Sequence, residues 1–232
     1  MVYNWRNSPL SRSLSAHCIL CLGPDHSGSN LCTECRRDLP WLESACPACA
    51  LPLATGVGLC GACQHRRHAF DNCIAAFSYA APIDALVQQL KFGAHLHLAR
   101  LFARLLAERL RNIPRPDCII PVPLHPARQR ERGFNQAVEI ARPLATYLGC
   151  RLAHDTCIRA RQTPPQTSLS AGQRRRNLRD AFALRLPLQG RHLALVDDVM
   201  TTGSTLDALA QLLRGAGAER IDVWLCARTH LG

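Results

Sequence analysis

Hydrophobic and polar positions along this chain fall into three regimes. From residue 113 onward, short apolar runs alternate with segments of helical period. Residues 118–122, 192–196 and 220–227 are near-continuous apolar runs, the pattern of strands buried on both faces, and 151–158 and 181–186 read as further strands. Between them, Ala137, Ile140, Ala141 and Leu144 predict a helix from about Phe134, and Leu206, Leu209, Leu212 and Leu213 predict another over 204–215. Pro143 falls inside the first and is expected to kink or split it. Such alternation predicts an α/β fold, a mostly parallel sheet with helices on both faces. In a second regime, residues 65–112, a strand over 73–80 is followed by two helices. The first starts near Pro82, carries Ile83, Leu86, Val87 and Leu90, and breaks at Gly93. The second has Leu96, Leu98, Leu101, Phe102, Leu105, Leu106 and Leu110 on its apolar face and Arg100, Arg104, Arg109 and Arg111 outside.

Residues 17–64 follow neither period and are organised by cysteine. Four C-x-x-C pairs start at Cys18, Cys32, Cys46 and Cys60, fourteen residues apart. Each such turn points two sulfurs at one metal, and two turns complete a tetrahedral S4 zinc site. Sequential grouping joins Cys18, Cys21, Cys32 and Cys35, then Cys46, Cys49, Cys60 and Cys63, as two ribbons linked by the apolar stretch 39–42. Spacing leaves a crossed arrangement open, with disulfides as the runner-up chemistry. Each half has too few apolar residues for its own core, so metal supplies the folding energy, roughly 10–16 kcal/mol per structural zinc. With four protein ligands and no open position, both sites are expected to be structural. Cys73, Cys118, Cys150, Cys157 and Cys226 lie outside the pattern in apolar settings and read as buried small hydrophobes.

Composition narrows the partners. No segment is long and apolar enough to span a membrane, and the N-terminus lacks the apolar run of a secretory signal, so a cytoplasmic protein is expected. The formal charge is +11, and eight thiolates on two zinc ions would lower it by four, to +7. That excess favours anionic partners such as nucleotides or nucleic acid, although an Arg-rich composition alone gives the same balance. Lys91 is the single lysine among 28 Lys and Arg residues, which marks either chance or a place needing a compact ammonium.

The densest chemistry lies in HLALVDDVMTTGSTLD, residues 192–207. An apolar strand leads into Asp197 and Asp198, then into Thr201, Thr202, Gly203, Ser204 and Thr205, then into a helix. Small hydroxyl residues at a helix start present free N–H groups and the positive end of the helix dipole, which suits a phosphate. Acids repel phosphate, so the pair should face sugar hydroxyls or a magnesium ion. A second anion loop follows residues 118–122: PVPLHPARQRERGFNQA is stiffened by Pro121, Pro123 and Pro126 and loaded with His125, Arg128, Arg130 and Arg132, whose guanidinium forks fit pyrophosphate oxygens. Residues 159–182 show no apolar period but carry Arg159, Arg161, Arg174, Arg175, Arg176 and Arg179. The stretch is too long for a plain connector and reads as a lid over a pyrophosphate or a contact for a nucleic-acid backbone.

LALVDDVMTTGST resembles the phosphoribosyl-pyrophosphate signature of type I phosphoribosyltransferases. That resemblance implies that Asp197 and Asp198, the catalytic candidates, hold the ribose hydroxyls with magnesium, while Thr201 to Thr205 wrap the 5′-phosphate. Ser204 stands where many transferases have Gly. Taken with the C-x-x-C ribbons, LKF at Lys91, PVPLHPARQRERGFNQA and R-x-R-x-T-x-x-Q-x-x-L, residues 15–228 resemble the ComF family of competence proteins, which includes ComFC and GntX-like members. The resemblance implies an extension over 1–16, a double zinc ribbon over 17–64, a bridging hood over 65–112 and a phosphoribosyltransferase-like core over 113–232. Because the chain ends just after its last strand, the hood is expected from 65–112 and not from the C-terminus. Lys91, Arg128, Arg132, Arg161 and Arg174 join the substrate-binding set, and Thr163, Gln166, Leu169 and Asn177 match the family's flexible loop. The implied function is handling of incoming single-stranded DNA in natural transformation, with a competence helicase or recombination mediator as partner. The alternative is an active transferase moving a phosphoribosyl group to an unidentified nitrogenous acceptor in nucleotide salvage.

Overall fold

A computed structural model describes residues 16–25, 27–54, 58–160 and 181–230. The chain divides into two compact units, Met1–Pro40 and Trp41–Gly232, so the division falls between the two cysteine groups.

In the smaller unit, β1 (Ala16–His17) pairs antiparallel with β2 (Pro24–Asp25), and a five-residue helix, α1 (Thr33–Arg37), follows. Apart from Cys18, its buried apolar side chains among the described residues are Leu31 and Leu39, too few for a core. Polar bonds compensate. Asp25 is buried, its Oδ1 accepting from Ser27 N–H at 2.8 Å and Ser27 Oγ at 2.6 Å, its Oδ2 from Asn30 N–H at 2.6 Å. Burial alone would push this carboxyl up, but the Ser27 and Asn30 donors outweigh it and hold it below the usual carboxylate value.

The larger unit opens with a helical turn, α2 (Gly61–His65). Its sheet comprises β3 (Asn72–Ser78), β4 (Cys118–Pro121), β5 (Arg151–Leu152), β8 (His192–Met200) and β9 (Arg220–Arg228), in the order β3-β9-β8-β4-β5 with every pair parallel. Both faces are covered, as parallel sheets require. On one face lie α4 (His97–Arg109) and α6 (Gln136–Leu148), α4 against β3 and β9, α6 against β4 and β8. Against the other, Cys118, Ile120, Leu193, Leu195, Ile221, Val223 and Leu225 pack with Leu206, Leu209 and Leu213 of α7 (Ser204–Gly215) and with Cys46, Cys49, Cys60 and Cys63. The second cysteine group is therefore part of this core. The stretch 42–47 that leads into it lies along the edge of β3 away from β9: Leu42 N–H donates to Ala76 C=O at 2.9 Å and Cys73 N–H to Pro47 C=O at 2.8 Å, so that edge offers fewer groups for stray pairing.

Several elements differ from the sequence reading. The strand expected over 151–158 is two strands in different sheets. β5 stays in the parallel sheet, and after the polar His154-Asp155 step β6 (Cys157–Arg159) pairs antiparallel with β7 (Phe182–Leu184), which also removes the 181–186 strand from the main sheet. Pro143 does not split α6: it is half-buried, and the helix is anchored by the buried Ala137, Ile140, Ala141, Leu144 and Leu148. The Arg-rich loop contains a helix, α5 (Pro126–Arg132), with His125 Nδ1 accepting from Ala127 N–H at its start, Pro126 in its first turn and Gly133 at φ +83° as its stop. The first helix of the bridging region, α3 (Ile83–Phe92), has Pro82 at its cap and not in its first turn.

Candidate functional site

β4 leads outward to β5 through α5 and α6, while β8 leads the other way to β9 through α7. The two strands are neighbours, so the chain departs from their carboxyl ends in opposite directions. In open α/β sheets that switch point is where ligands bind. The two anion loops read from the sequence are the two loops that leave it. Asn135 ties one of them shut: its Nδ2 donates to Val122 C=O at 3.0 Å while its Oδ1 caps α6 through Ala137 N–H at 3.0 Å.

The acid pair is not in the loop after the strand. β8 continues to Met200, with Asp197 opposite Leu225 and Val199 opposite Ala227, so pairing with β9 holds both acids in extended backbone. Asp198 is buried, and its Oδ2 lies 3.0 Å from Lys91 Nζ at the end of α3. Asp198 N–H donates to Asp197 Oδ1 at 2.9 Å, and Val199 N–H to Asp198 Oδ1 at 2.6 Å. Burial first, and the Asp198 charge second, push the Asp197 carboxyl up to about 8, against the opposing pull of Lys91. A carboxylate, a neighbouring carboxyl that a cation would drive to ionise, and one ammonium form a site that gains from a cation or hydroxyl donors.

Lys91 also lines a cavity of about 470 Å³ with Phe92, Arg128, Arg132 and Phe134. Phe92 is 73% exposed, and the Arg132 guanidinium carbon stands 5.2 Å from its ring centroid. Arg132 is fixed in turn by donating to Gln136 Oε1 at 2.6 Å. A cavity of about 420 Å³ runs beside the 121–135 loop toward Arg159, the first arginine of the basic stretch 159–182. Arg159 is half-buried; burial and then the nearby Arg128 charge lower its pKa, while Asp197 raises it. These three residues therefore share one electrostatic neighbourhood.

In the hydroxyl loop, Thr202 Oγ1 and Ser204 Oγ are 3.0 Å apart, and Gly203 adopts φ +78° at the cap of α7. Thr201 and Thr202 are exposed and Ser204 and Thr205 half-buried, leaving the hydroxyls open to a ligand. Thus the structure brings together Asp197, Asp198 and Lys91, with Arg128 and Arg132 along the Lys91 cavity. Arg161, Thr163, Gln166, Leu169, Arg174 and Asn177 lie outside the described residues. Two residues were missed. Phe92 had a faint signal, an aromatic next to the lone lysine. Arg228 had none, yet it is 2% exposed and hydrogen-bonded to the backbone of both the second cysteine group and the strand end before the hydroxyl loop.

The cysteines group sequentially. Sγ atoms of Cys18, Cys21, Cys32 and Cys35 lie within 4.8 Å of one another, as do those of Cys46, Cys49, Cys60 and Cys63. Cys21–Cys32 and Cys49–Cys60 sulfurs are 3.8 and 3.6 Å apart. A tetrahedron with metal–sulfur arms of about 2.3 Å has edges of about 3.8 Å, so both groups fit a structural zinc ion. All thirteen cysteines are free thiols, which sets disulfides aside. Burial pushes the Cys18 and Cys46 thiols up, but backbone N–H donors, chiefly Cys21 toward the first and Cys60 toward the second, outweigh it and bring them down to about 6 and about 7. Cys73, Cys118, Cys157 and Cys226 are buried as expected, whereas Cys150 is only half-buried.

Comparison with known proteins agrees with this architecture. A double zinc ribbon domain model matches residues 11–64, and a phosphoribosyl transferase domain model matches residues 134–230. DNA utilization protein YhgH of Salmonella typhi is 41% identical over 221 residues, covering 91% of this chain and 96% of that one. Competence protein F of Haemophilus influenzae is 37% identical over the same length and shares. Competence protein ComFC of Streptococcus pneumoniae is 25% identical over 202 residues, 87% of this chain and 82% of that one. With cysteine ribbons ahead of a phosphoribosyltransferase-type sheet and relatives matched across nearly their full length, the chain belongs to the ComF family of competence proteins.

Proposed function

We propose that the crevice between the ends of β4 and β8 binds phosphoribosyl pyrophosphate with magnesium, and that the protein serves the cytoplasmic handling of single-stranded DNA taken up in natural transformation. One observation carries the ligand reading: Asp197, Asp198 and Lys91 meet at the end of β8, beside the arginines of the neighbouring strand's loop. In this reading the acid pair holds the ribose hydroxyls, Thr201 to Thr205 hold the 5′-phosphate through hydroxyls and backbone N–H groups, and Arg128 and Arg132 face the pyrophosphate. Magnesium would sit toward Asp197 and Asp198, where it neutralises charge on the pyrophosphate. The DNA reading draws on the names of the relatives and on the excess of basic side chains. A helicase or recombination partner would dock on the zinc-ribbon module, residues 17–64.

An active transferase is the second reading, favoured by the open face of Phe92 next to the Lys91 cavity, where a planar nitrogenous acceptor can stack. In that reaction a bond forms between the acceptor nitrogen and ribose C1 as the C1–O bond breaks and pyrophosphate leaves. Calorimetry with phosphoribosyl pyrophosphate and magnesium tests the pocket, and absence of binding sinks it. Single-stranded DNA affinity measured against salt tests the DNA role: an affinity that does not fall with salt contradicts it. Pyrophosphate release across a panel of bases separates the two readings.

A further inference from the structure

The hydroxyl loop is gripped at both ends by the segment that carries the second cysteine group. At its start, the buried Arg228 guanidinium donates through Nε to Cys49 C=O at 2.9 Å and through Nη1 to Met200 C=O at 3.1 Å. Cys49 belongs to the S4 cluster, and Met200 immediately precedes Thr201. At the far end, Asp207 in the first turn of α7 is buried, and the residues just past Cys63 surround it. Arg66 Nη2 donates to Oδ2 at 2.7 Å, Ala69 N–H donates to Oδ1 at 3.0 Å, and His68 Nδ1 lies 3.0 Å from both oxygens. The His68 ring also lies against the loop itself, since a methyl built on Gly203 would sit 3.6 Å from its Cε1, and its other contact is a stack on Phe70 at 4.6 Å.

These bonds have one feature in common. Every group on the cysteine side is a backbone carbonyl of a ligand turn or belongs to residues 66–69, the irregular stretch between Cys63 and β3, so its position depends on the cluster being folded. A C-x-x-C knuckle holds that shape only when its thiolates share a metal. The four sulfurs here are all buried in the core of the larger unit, whereas Cys21 of the first cluster is exposed and that cluster lies in the other unit.

We propose that the Cys46–Cys63 cluster is the mount of the hydroxyl loop, with Arg228 and Asp207 as positioning residues that transmit its metal-loaded geometry to residues 201–205. Metal loss from this cluster loosens the loop and weakens a bound ribose phosphate, while metal loss from the Cys18–Cys35 cluster does not. The ligand half of this statement rests on the ribose-phosphate reading above; the loop half does not.

The test uses the full chain with its metal counted, hydrogen exchange of amides 200–207 without ligand, and calorimetry with phosphoribosyl pyrophosphate plus magnesium. Asp207→Asn and Arg228→Met keep both metal equivalents, yet amides 201–205 exchange roughly tenfold faster or more, and affinity falls by a similar factor. Arg228→Lys, which keeps a cation for the two carbonyls, recovers part of the loss. Cys60→Ser loses one equivalent and behaves like Arg228→Met; Cys18→Ser loses one equivalent and leaves exchange and affinity as in the parent. A merely structural role would lower the melting temperature of Asp207→Asn and Arg228→Met but leave exchange and affinity unchanged well below the transition, and that result overturns the proposal, as does a loosened loop in Cys18→Ser. If Cys60→Ser does not fold, the two metal-retaining variants still decide. If the parent protein binds no phosphoribosyl pyrophosphate, the ribose-phosphate reading fails while hydrogen exchange still decides the mount.

Discussion

Lys91 Nζ stands 3.0 Å from Asp198 Oδ2, so the only lysine of the chain is held against a carboxylate of the acid pair. Both side chains are largely buried, at 20% and 4% exposure, which makes the pair asymmetric under mutation. Removing the ammonium leaves a buried carboxylate without its counter-charge. Lys91→Ala is expected to cost about 3–5 kcal/mol in denaturant unfolding. Millimolar magnesium should recover stability in Lys91→Ala more than in the parent. A variant as stable as the parent would show that the pair contributes little.

The raised Asp197 carboxyl predicts a pH slope. Its value is about 8 in the fold against 3.8 for the free side chain. Between those values the native state holds a proton that the unfolded chain releases, so this group makes stability fall as pH rises from about 4 to about 8. Asp197→Asn should flatten that part of the profile and gain stability at pH 8. A cationic ligand that stabilises the carboxylate should release a proton on binding near pH 7, readable as calorimetric heats that vary with buffer ionisation enthalpy. Parallel profiles for parent and variant would contradict the raised carboxyl.

Phe92 separates binding from stability. At 73% exposure it contributes little to the core, so Phe92→Ala should unfold within about 0.5 kcal/mol of the parent. If its open face stacks a base, single-stranded DNA affinity or acceptor affinity drops by about 1–3 kcal/mol. Equal affinities for parent and variant would remove the ring from the binding surface.

Arg128 supplies a charge test of the DNA role. If it meets a backbone phosphate, Arg128→Ala weakens binding across sequences alike and lowers the slope of log affinity against log salt by about 1. An unchanged slope would move the DNA path away from the Lys91 cavity.

Metal content should be two equivalents per chain, removed by chelators and not by reductants, because both groups are S4 sets of free thiols. Cys18→Ser should lose one equivalent with the melting transition of the larger unit preserved. Loss of that transition would show that the smaller unit stabilises the sheet.

Much of the fold was legible because its strands are short apolar runs and its helices repeat at 3.6 residues. The 192–207 stretch carried the acids and the hydroxyl loop together, since strand, loop and helix are contiguous there. Boundaries failed where pairing, not local pattern, decides. Asp197 and Asp198 are polar, so the run appeared to end at Val196, yet β9 continues alongside and keeps them extended. The 151–158 strand failed for the same reason in reverse: a single apolar-looking run serves two sheets. Helix α5 showed only end signals, Pro126 and Gly133, without an apolar period between them.

By itself the sequence determined the chemistry available: eight cysteines at metal-ligand spacing, an acid pair before a hydroxyl loop, and arginines after a buried strand. These are local properties, set by residue type and by neighbours within one or two turns of chain. Only the tertiary structure decided what that chemistry faces. The strand order β3-β9-β8-β4-β5 makes the two loops neighbours, brings Lys91 to Asp198, and buries Arg228 between Cys49 and Met200. The physical reason is that sheet order and the burial of charged side chains follow from packing the whole core, and no window of sequence contains that information.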